Sequence, residues 1–419
     1  MENLKERIEL ANSKALQIIL DGQPTWVDVV PAGEFIADLP ENMILHAGPP
    51  LSDIGRASKP FRIAIGGAAV HEGLASDLDE AWNMIEAGEI LLGSQLDHRG
   101  ASGAAYAVTR STPVQIVENM SNGQQCFCTF NEGASTSVLR WAVYNDEVEQ
   151  RLRWFCDVLG PILGSVLRTG EGINIRTILS KAITMGDENH SRQVASTALL
   201  MQQLLPMLIE ADIEHGLRRE ISHFLAEAER FFLHVFIAAA ASVMEGLKGI
   251  DYSTIMVGQG GNGDQFGTKF AFSGNDWYCD DCPVCQGMYL NPDWDERIGR
   301  AYLGDSCVVE TYGFGGNAAA AGPMVLRLTG GDWDEALERT ELAREISVGT
   351  LDWAPIPAAG FTGPAVGFDM RKVVATGITP IIHGGMHHKD GGQAGAGSCH
   401  VPLECFKSAM RAFAIKYGL

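Results

Sequence analysis

Between Met185 and Arg192 the chain reads Met-Gly-Asp-Glu-Asn-His-Ser-Arg, which sets acids, a base and a fixed cation within a few residues. Asp187 has the side chain of a helix cap, and a helix starting there would present free N–H groups and partial positive charge to an anion. In such a site Asp187 and Glu188 would shape the binding of a small anion, while His190 and Arg192 would take part in the chemistry. The plain alternative is a capped helix with a solvated first turn. A second concentration is Ile382-His-Gly-Gly-Met-His-His-Lys-Asp-Gly-Gly-Gln-Ala-Gly-Ala-Gly397. It reads as an active-site loop in which His387 is, with His190 of the first cluster, one of two candidates for the general acid, because imidazole titrates near neutral pH. His388 and Lys389 are expected to hold substrate. His383, His387 and His388 could together ligate a metal, although a backbone bounded by glycines imposes no common face on them.

The run Gly258-Gln-Gly-Gly-Asn-Gly-Asp-Gln-Phe-Gly267 follows an apolar stretch, Thr254–Val257. Successive amides in a glycine-rich loop can form an anion-holding nest, so Gly260, Gly261, Asn262 and Gly263 are expected to cradle phosphate or carboxylate. The alternative is a tight loop demanded by packing. The spacing fits neither a nucleoside-triphosphate loop nor a dinucleotide fingerprint, and no nucleotide cofactor is expected. In Gly304-Asp-Ser-Cys-Val-Val-Glu-Thr-Tyr-Gly-Phe-Gly-Gly316, Glu310 reads as the end of a short strand beside a glycine loop. A buried carboxyl there serves either as a general acid or as a tie for loop amides; Asn131-Glu-Gly133 is a similar case. Cys279, Cys282 and Cys285, spaced Cys-x-x-Cys-x-x-Cys, suggest thiolate ligation of a structural zinc, with Cys307, a histidine or water in fourth place. Free buried thiols are the alternative.

The elements that would position these groups suggest an α/β protein. Thr25–Val30 predicts a strand, and Arg62–Val70 a buried strand entering a glycine turn, followed by a helix through Leu78, Trp82 and Ile85. Strand, turn and helix in that order predict a parallel, Rossmann-like N-terminal domain over residues 1–150. Further strands are expected at Val114–Val117 and Cys126–Phe130. Residues 151–250 read as an all-helical insertion, with helices over Glu147–Leu163, Asp187–Leu205 and Arg218–Leu247. Residues 251–419 read as a second α/β domain rich in glycine loops, with helices over Asp334–Ile346 and Leu403–Tyr417.

A formal net charge of −21 over 419 residues excludes partners that are themselves polyanions, so neither nucleic acid nor an anionic membrane surface is expected. The N-terminal residues Met1–Leu20 have helical periodicity and no secretory signal. The most apolar segment, Phe231–Met244, is too short to span a bilayer. Nine cysteines without a secretory signal argue against a disulfide framework. A cytoplasmic, homo-oligomeric protein is the expectation.

Taken together, Leu45-His-Ala-Gly-Pro-Pro50, Glu72-Gly73, Asn131-Glu-Gly133, Met185-Gly-Asp-Glu188 with His190 and Arg192, Gly261-Asn-Gly263 with Phe266-Gly267, Gly304-Asp-Ser306 with Glu310-Thr311, and Gln393-Ala-Gly-Ala-Gly397 resemble the YlbE/YahG-like family. That family includes a subunit of oxamate carbamoyltransferase. The resemblance covers nearly the whole chain, in family order. It implies two α/β units with a helical insertion, and a carbamoyltransferase subunit working with an FdrA-like subunit and a third small subunit. The implied reaction converts oxalurate, an anionic ureide, and phosphate into oxamate and carbamoyl phosphate. Two departures stand out. Ser94-Gln-Leu-Asp-His-Arg-Gly100 replaces a Pro-Cys-His-His-His run, and Cys279–Cys285 replaces a cysteine-free stretch. A metal-dependent amide hydrolase acting alone, or a non-catalytic ligand-binding subunit, are the competing functions.

Overall fold

The computed structural model describes residues 4–419 as a mixed α/β protein. The opening helix runs Leu4–Asp21, and residues 1–3 of the expected segment lie outside the described residues. Strand β1 (Pro24–Pro31) pairs antiparallel with β4 (Pro113–Asn119) and with the short β6 (Ile173–Asn174), and β5 (Gln124–Thr129) completes the order β5-β4-β1-β6. This is not the expected parallel, Rossmann-like sheet. The parallel ladder among the described strands joins only β2 (Met43–His46) and β3 (Leu91–Ser94).

The predicted strand at Arg62–Val70 is instead part of a helix, Lys59–Glu72. Ser58 caps it by accepting from Phe61 N–H, Pro60 sits in its first turn, and left-handed Gly73 ends it. Gly66 and Gly67 interrupt no helix here; they thin one face of it. A Cβ on Gly67 would come within 2.9 Å of Leu139 and 2.8 Å of the Tyr144 ring. The helical middle is broken more often than the periodicity predicts. Asp146–Trp154 and Gly160–Arg168 flank a π-turn, and the expected Arg218–Leu247 helix is two, His215–Glu227 and Phe231–Glu245. Phe231–Glu245 is buried almost all round, lying against β1, β4 and β5 on one side and Phe314 and Tyr312 on another. This burial accounts for its apolar character. Among the described residues no helix is long and apolar enough to cross a membrane.

Two further antiparallel sheets carry the glycine-rich sequences. One has the order β11-β7-β8-β9, from Leu303–Gly304, Met256–Asn262, Gln265–Phe270 and Tyr278–Asp281. The other has the order β10-β15-β14, from Gln286–Tyr289, Gln393–His400 and Ile381–His387. A two-stranded ladder joins β12 (Ser347–Thr350) to β13 (Ala365–Phe368). The expected anion nest at 258–267 is therefore a hairpin. Gly260 and Gly261 lie in extended, paired backbone whose amides serve the sheet. Asn262 Oδ1 accepts from the N–H groups of Asp264 and Gln265, and Gly263 alone takes a positive φ, 84°, at the turn. Glycine is needed here for close approach. A Cβ on Gly260 would meet Asp305 Oδ1 at 2.1 Å, and one on Gly48, in the Leu45–Pro50 motif, would meet Asn262 N at 2.4 Å. The 384–397 run is likewise a hairpin, flattened so that Trp141 rests on Gly385 and Tyr302 on Gly384. The main hydrophobic core is continuous from Ala11 to Val366, drawing on segments all along the chain.

Candidate active site

A cavity of about 430 Å³ opens where the 131–141 segment, the 190–191 turn, the start of helix Phe231–Glu245, and strands β10, β11, β14 and β15 meet. Arg140, His190, Arg230, His234, Tyr302 and Ser306 supply most of its chemistry. Three non-glycine residues with positive φ stand in its lining or next to a lining residue in the chain, Ala104 at 54°, Ala142 at 57° and Asn189 at 67°. Such backbone costs energy that only the surrounding structure holds in place, and it gathers at functional sites.

His190 is the best-defined group. Its ring is almost wholly buried, and Nδ1 lies 2.7 Å from Glu310 Oε1. That carboxylate oxygen also accepts from Gly316 N–H at 3.0 Å and His383 N–H at 3.1 Å. Gly315 must be glycine, because a Cβ there would lie 2.0 Å from the same oxygen. Glu310 sits in a short helical turn, Val308–Thr311, and not at a strand end as predicted. Glu188 completes the cluster: Oε2 accepts from His190 N–H at 3.1 Å and faces His383 Nδ1 at 3.4 Å. Oε1 accepts from the N–H groups of Ser191 and Arg192. Burial would raise the Glu188 pKa, but His383, His190 and the Arg192 amide bring it below the ordinary carboxylate value. Burial pulls His190 down, yet Glu310 and Glu188 outweigh it and hold the pKa above the ordinary histidine value. A histidine fixed through Nδ1, with no hydrogen-bond partner at Nε2 among the described residues, can donate a proton or bind an anion in the cavity.

Arg140 is the second group. It is buried beside Glu132, whose carboxylate accepts from the N–H groups of Leu139 and Arg140 and stands 3.8 Å from Arg140 Nη1. Nη2 donates to the Gly133 carbonyl, and Nη1 has no hydrogen-bond partner among the described residues. A buried guanidinium with a free donor is costly unless a ligand meets it. Arg230, at the N-terminus of helix Phe231–Glu245, is exposed, lines the cavity and makes no ion pair among the described residues. Its charge opposes protonation of both His190 and Arg140, which puts all three in one electrostatic neighbourhood. Glu227 and Glu229 stand exposed on the rim.

The remaining sequence-predicted residues lie elsewhere. The helix expected to start at Asp187 begins at Val194, but Asp187 still serves it from a distance, accepting from Ser196 N–H and Oγ–H. Arg192 pairs with Asp187 at 3.3 Å and does not line the cavity. His387 is buried behind the cavity, donating through Nε2 to the Arg140 carbonyl at 3.1 Å with its ring against Trp141. Burial lowers its pKa to about 4, so at neutral pH it is uncharged and supports Arg140 instead of acting as the acid. His388 and Lys389 form the tip of the β14–β15 hairpin, with the His388 ring against Trp294. Cys279, Cys282 and Cys285 do not converge. Cys282 donates to the Tyr302 carbonyl, Cys285 faces Cys399 with 3.5 Å between sulfurs, and Cys279 lies on β9. Among the described residues no three His, Cys, Asp or Glu side chains are grouped to hold a metal.

Sequence reasoning missed Arg140, Arg230 and His234. His234 lies in a strongly apolar helix and reads as core. Arg140 sits between Leu139 and Trp141, with only the neighbouring Asn131-Glu-Gly133 motif to signal it.

The family model for the oxamate carbamoyltransferase subunit AllG matches residues 90–306. The chain is 35% identical to the oxamate carbamoyltransferase subunit AllG of Escherichia coli K12, over 98% of both chains. It is 33% identical to the uncharacterized protein YahG of the same strain, over 99% of this chain and 88% of that one. A crystal structure of a conserved protein of unknown function from Enterococcus faecalis V583 superposes with a TM-score of 0.96 at 32% identity, covering 99% of each chain.

Proposed function

Because the chain belongs to the oxamate carbamoyltransferase subunit AllG family, we propose that its cavity is the carbamoyl-transfer site of such a complex, acting on an oxalurate-like ureide and phosphate. The observation that carries this reading is the meeting of Arg140, Arg230 and the His190–Glu310 pair around one cavity in a chain of net charge −21. A strongly acidic protein attracts anions only where cations are gathered, and about 430 Å³ is room for two small anions side by side.

In the forward reaction a phosphate oxygen attacks the terminal carbamoyl carbon. The C–N bond to the oxamate nitrogen breaks, and that nitrogen must gain a proton as phosphate gives one up. His190 serves both transfers: it donates from Nε2 to the departing nitrogen and recovers the proton released by phosphate. Glu310 keeps the imidazolium available, and its buried carboxylate fixes the tautomer. Arg230 offsets the phosphate charge at the open side, and Ser306 and Tyr302 provide hydroxyls along the wall. The FdrA-like subunit and a third small subunit are the expected partners.

The test is a phosphate-dependent carbamoyl-transfer assay with oxalurate, run on the chain alone and with the partner subunits. His190→Gln should lower turnover in the complex by about 10²–10⁴-fold, the usual effect of losing a positioned acid, and Arg230→Ala should raise the phosphate KM. Normal turnover in His190→Gln would remove the cavity from the mechanism. Hydrolysis of ureides by the chain alone, without phosphate, would favour a hydrolase.

A further inference from the structure

The mechanism assigns no step to two cavity groups, Arg140 and His234. His234 Nδ1 lies 3.0 Å from the Thr129 carbonyl oxygen, and a carbonyl only accepts, so the ring proton is on Nδ1. Nε2 is then a bare lone pair. It stands beside Gly103, where a Cβ would come within 2.7 Å of it, and both residues line the cavity. Burial, with the Arg140 charge adding to it, lowers the His234 pKa to about 3. At neutral pH the ring neither changes tautomer nor gains a proton. It is a fixed acceptor in a cavity whose cationic groups, Arg140 and Arg230, can only donate.

The charge felt at His234 is that of Arg140, whose segment lines the same cavity. Arg140 Nη1, 3.8 Å from the Glu132 carboxylate, has no hydrogen-bond partner among the described residues although the residue is only 8% exposed. Asn131 spends its Oδ1 on Gly133 N–H, which leaves its amide nitrogen for the cavity. A ligand matched to this wall presents an anionic oxygen pair to Arg140 and an uncharged N–H to His234.

We propose that Arg140 and His234 together select a carboxylate joined to a carboxamide or ureide N–H, and reject the corresponding dicarboxylate. This rests on the carbamoyltransferase reading for the choice of ligand: oxamate is the carboxylate-amide, and oxalate is the same skeleton with oxygen in place of the N–H donor. Oxalate would set a second carboxylate against the His234 lone pair, leaving two acceptors facing each other without a proton. Sites that hydrogen-bond a substrate N–H or O–H reject analogues lacking it strongly, because the buried partner is left unmet.

The experiment is calorimetric binding of oxamate and of oxalate, at neutral pH, to the full chain and to the assembled complex. The unmodified protein should bind oxamate at least tenfold more tightly than oxalate. His234→Gln, whose amide can turn a donor toward either ligand, should narrow the gap to about threefold or less. Arg140→Lys should weaken both ligands. Gly103→Ala, which covers Nε2 without altering the histidine, should weaken oxamate selectively and serves if His234→Gln fails to fold. Equal or tighter binding of oxalate, an unchanged gap in both Gly103→Ala and His234→Gln, or no binding of either ligand in chain or complex overturns the inference. Selective binding by a protein that transfers no carbamoyl group would uphold the pair and sink the carbamoyltransferase reading. Carbamoyl transfer without selectivity would do the reverse.

Discussion

At the scale of single residues, the site divides its histidines by environment. His190 faces Glu310 and is held above the ordinary value of 6.5, whereas His387 and His234 are kept neutral by burial. The sign for His190 follows from linkage. A raised folded-state pKa contributes stability that is fully present below 6.5 and lost as pH rises through the raised value. Anion binding that depends on the imidazolium should fade in the same window. Glu310→Gln removes the largest raising interaction, so the fade should move to lower pH; phosphate binding against pH and an NMR titration of the His190 ring would read it, and superimposable curves would discount the pair. His387→Phe tests the other assignment. The phenyl ring keeps the packing on Trp141 but leaves the Arg140 carbonyl unmet, so stability should fall by about 1–3 kcal/mol. The neutral-pH limb of turnover should stay in place. Disappearance of that limb would restore His387 as the acid, the role its place in a glycine–histidine run suggests. The sequence shows residue types but not what opposes them. His190 and Glu310 are 120 positions apart, each legible as a candidate and neither legible as the other's partner. Arg140 and His234 escape notice because their neighbours are apolar, and an apolar neighbourhood reads as core.

At the scale of elements, glycine carries two different messages that composition cannot separate. Glycine tolerates positive φ, and it also lets another group approach the backbone closely. Reading the first where the second holds turned two hairpins into loops and a helix into a strand. The helices Trp333–Glu345 and Leu403–Tyr417 were legible because their signals are local: a capping box from Asp332 and Glu335 in one, an unbroken amphipathic stripe in the other. The β14 glycines answer to Trp141, Tyr302 and Cys285, which come from distant segments. This predicts the effect of Gly385→Ala. Its Cβ would lie 2.1 Å from the Trp141 ring, so the indole must shift or the strand must bow. Overpacking of this kind costs about 1–3 kcal/mol, and the strain falls on the residue next to Arg140. Urea unfolding should show the lowered midpoint, and oxamate binding should weaken with it. An unchanged midpoint would mean that Trp141 is free to move and does not brace the cavity.

At the scale of the whole molecule, the cations of the cavity are set in a chain of net charge −21. The two fields act over different ranges. Arg140, Arg230 and His190 act within a few ångströms of a bound anion, and Arg140 is shielded from solvent. The net charge acts at a distance, on an anion still approaching. Salt separates them, since the screening length falls from about 30 Å at 0.01 M to about 8 Å at 0.15 M. Over that range the long-range repulsion is screened first, while contacts inside the cavity change little. The association rate of phosphate or oxamate should therefore rise with added inert salt, by a few-fold, against the usual fall for a ligand steered to a cationic site. The dissociation rate should rise as well, but less in Arg230→Ala, because the exposed Arg230 is the cation that salt screens most readily. Stopped-flow binding across the salt series measures both rates on the unmodified chain. An association rate that falls from the lowest salt upward would mean that Arg230 projects its field past the acidic rim of Glu227 and Glu229. The cavity would then draw its anions from solution instead of holding those that reach it.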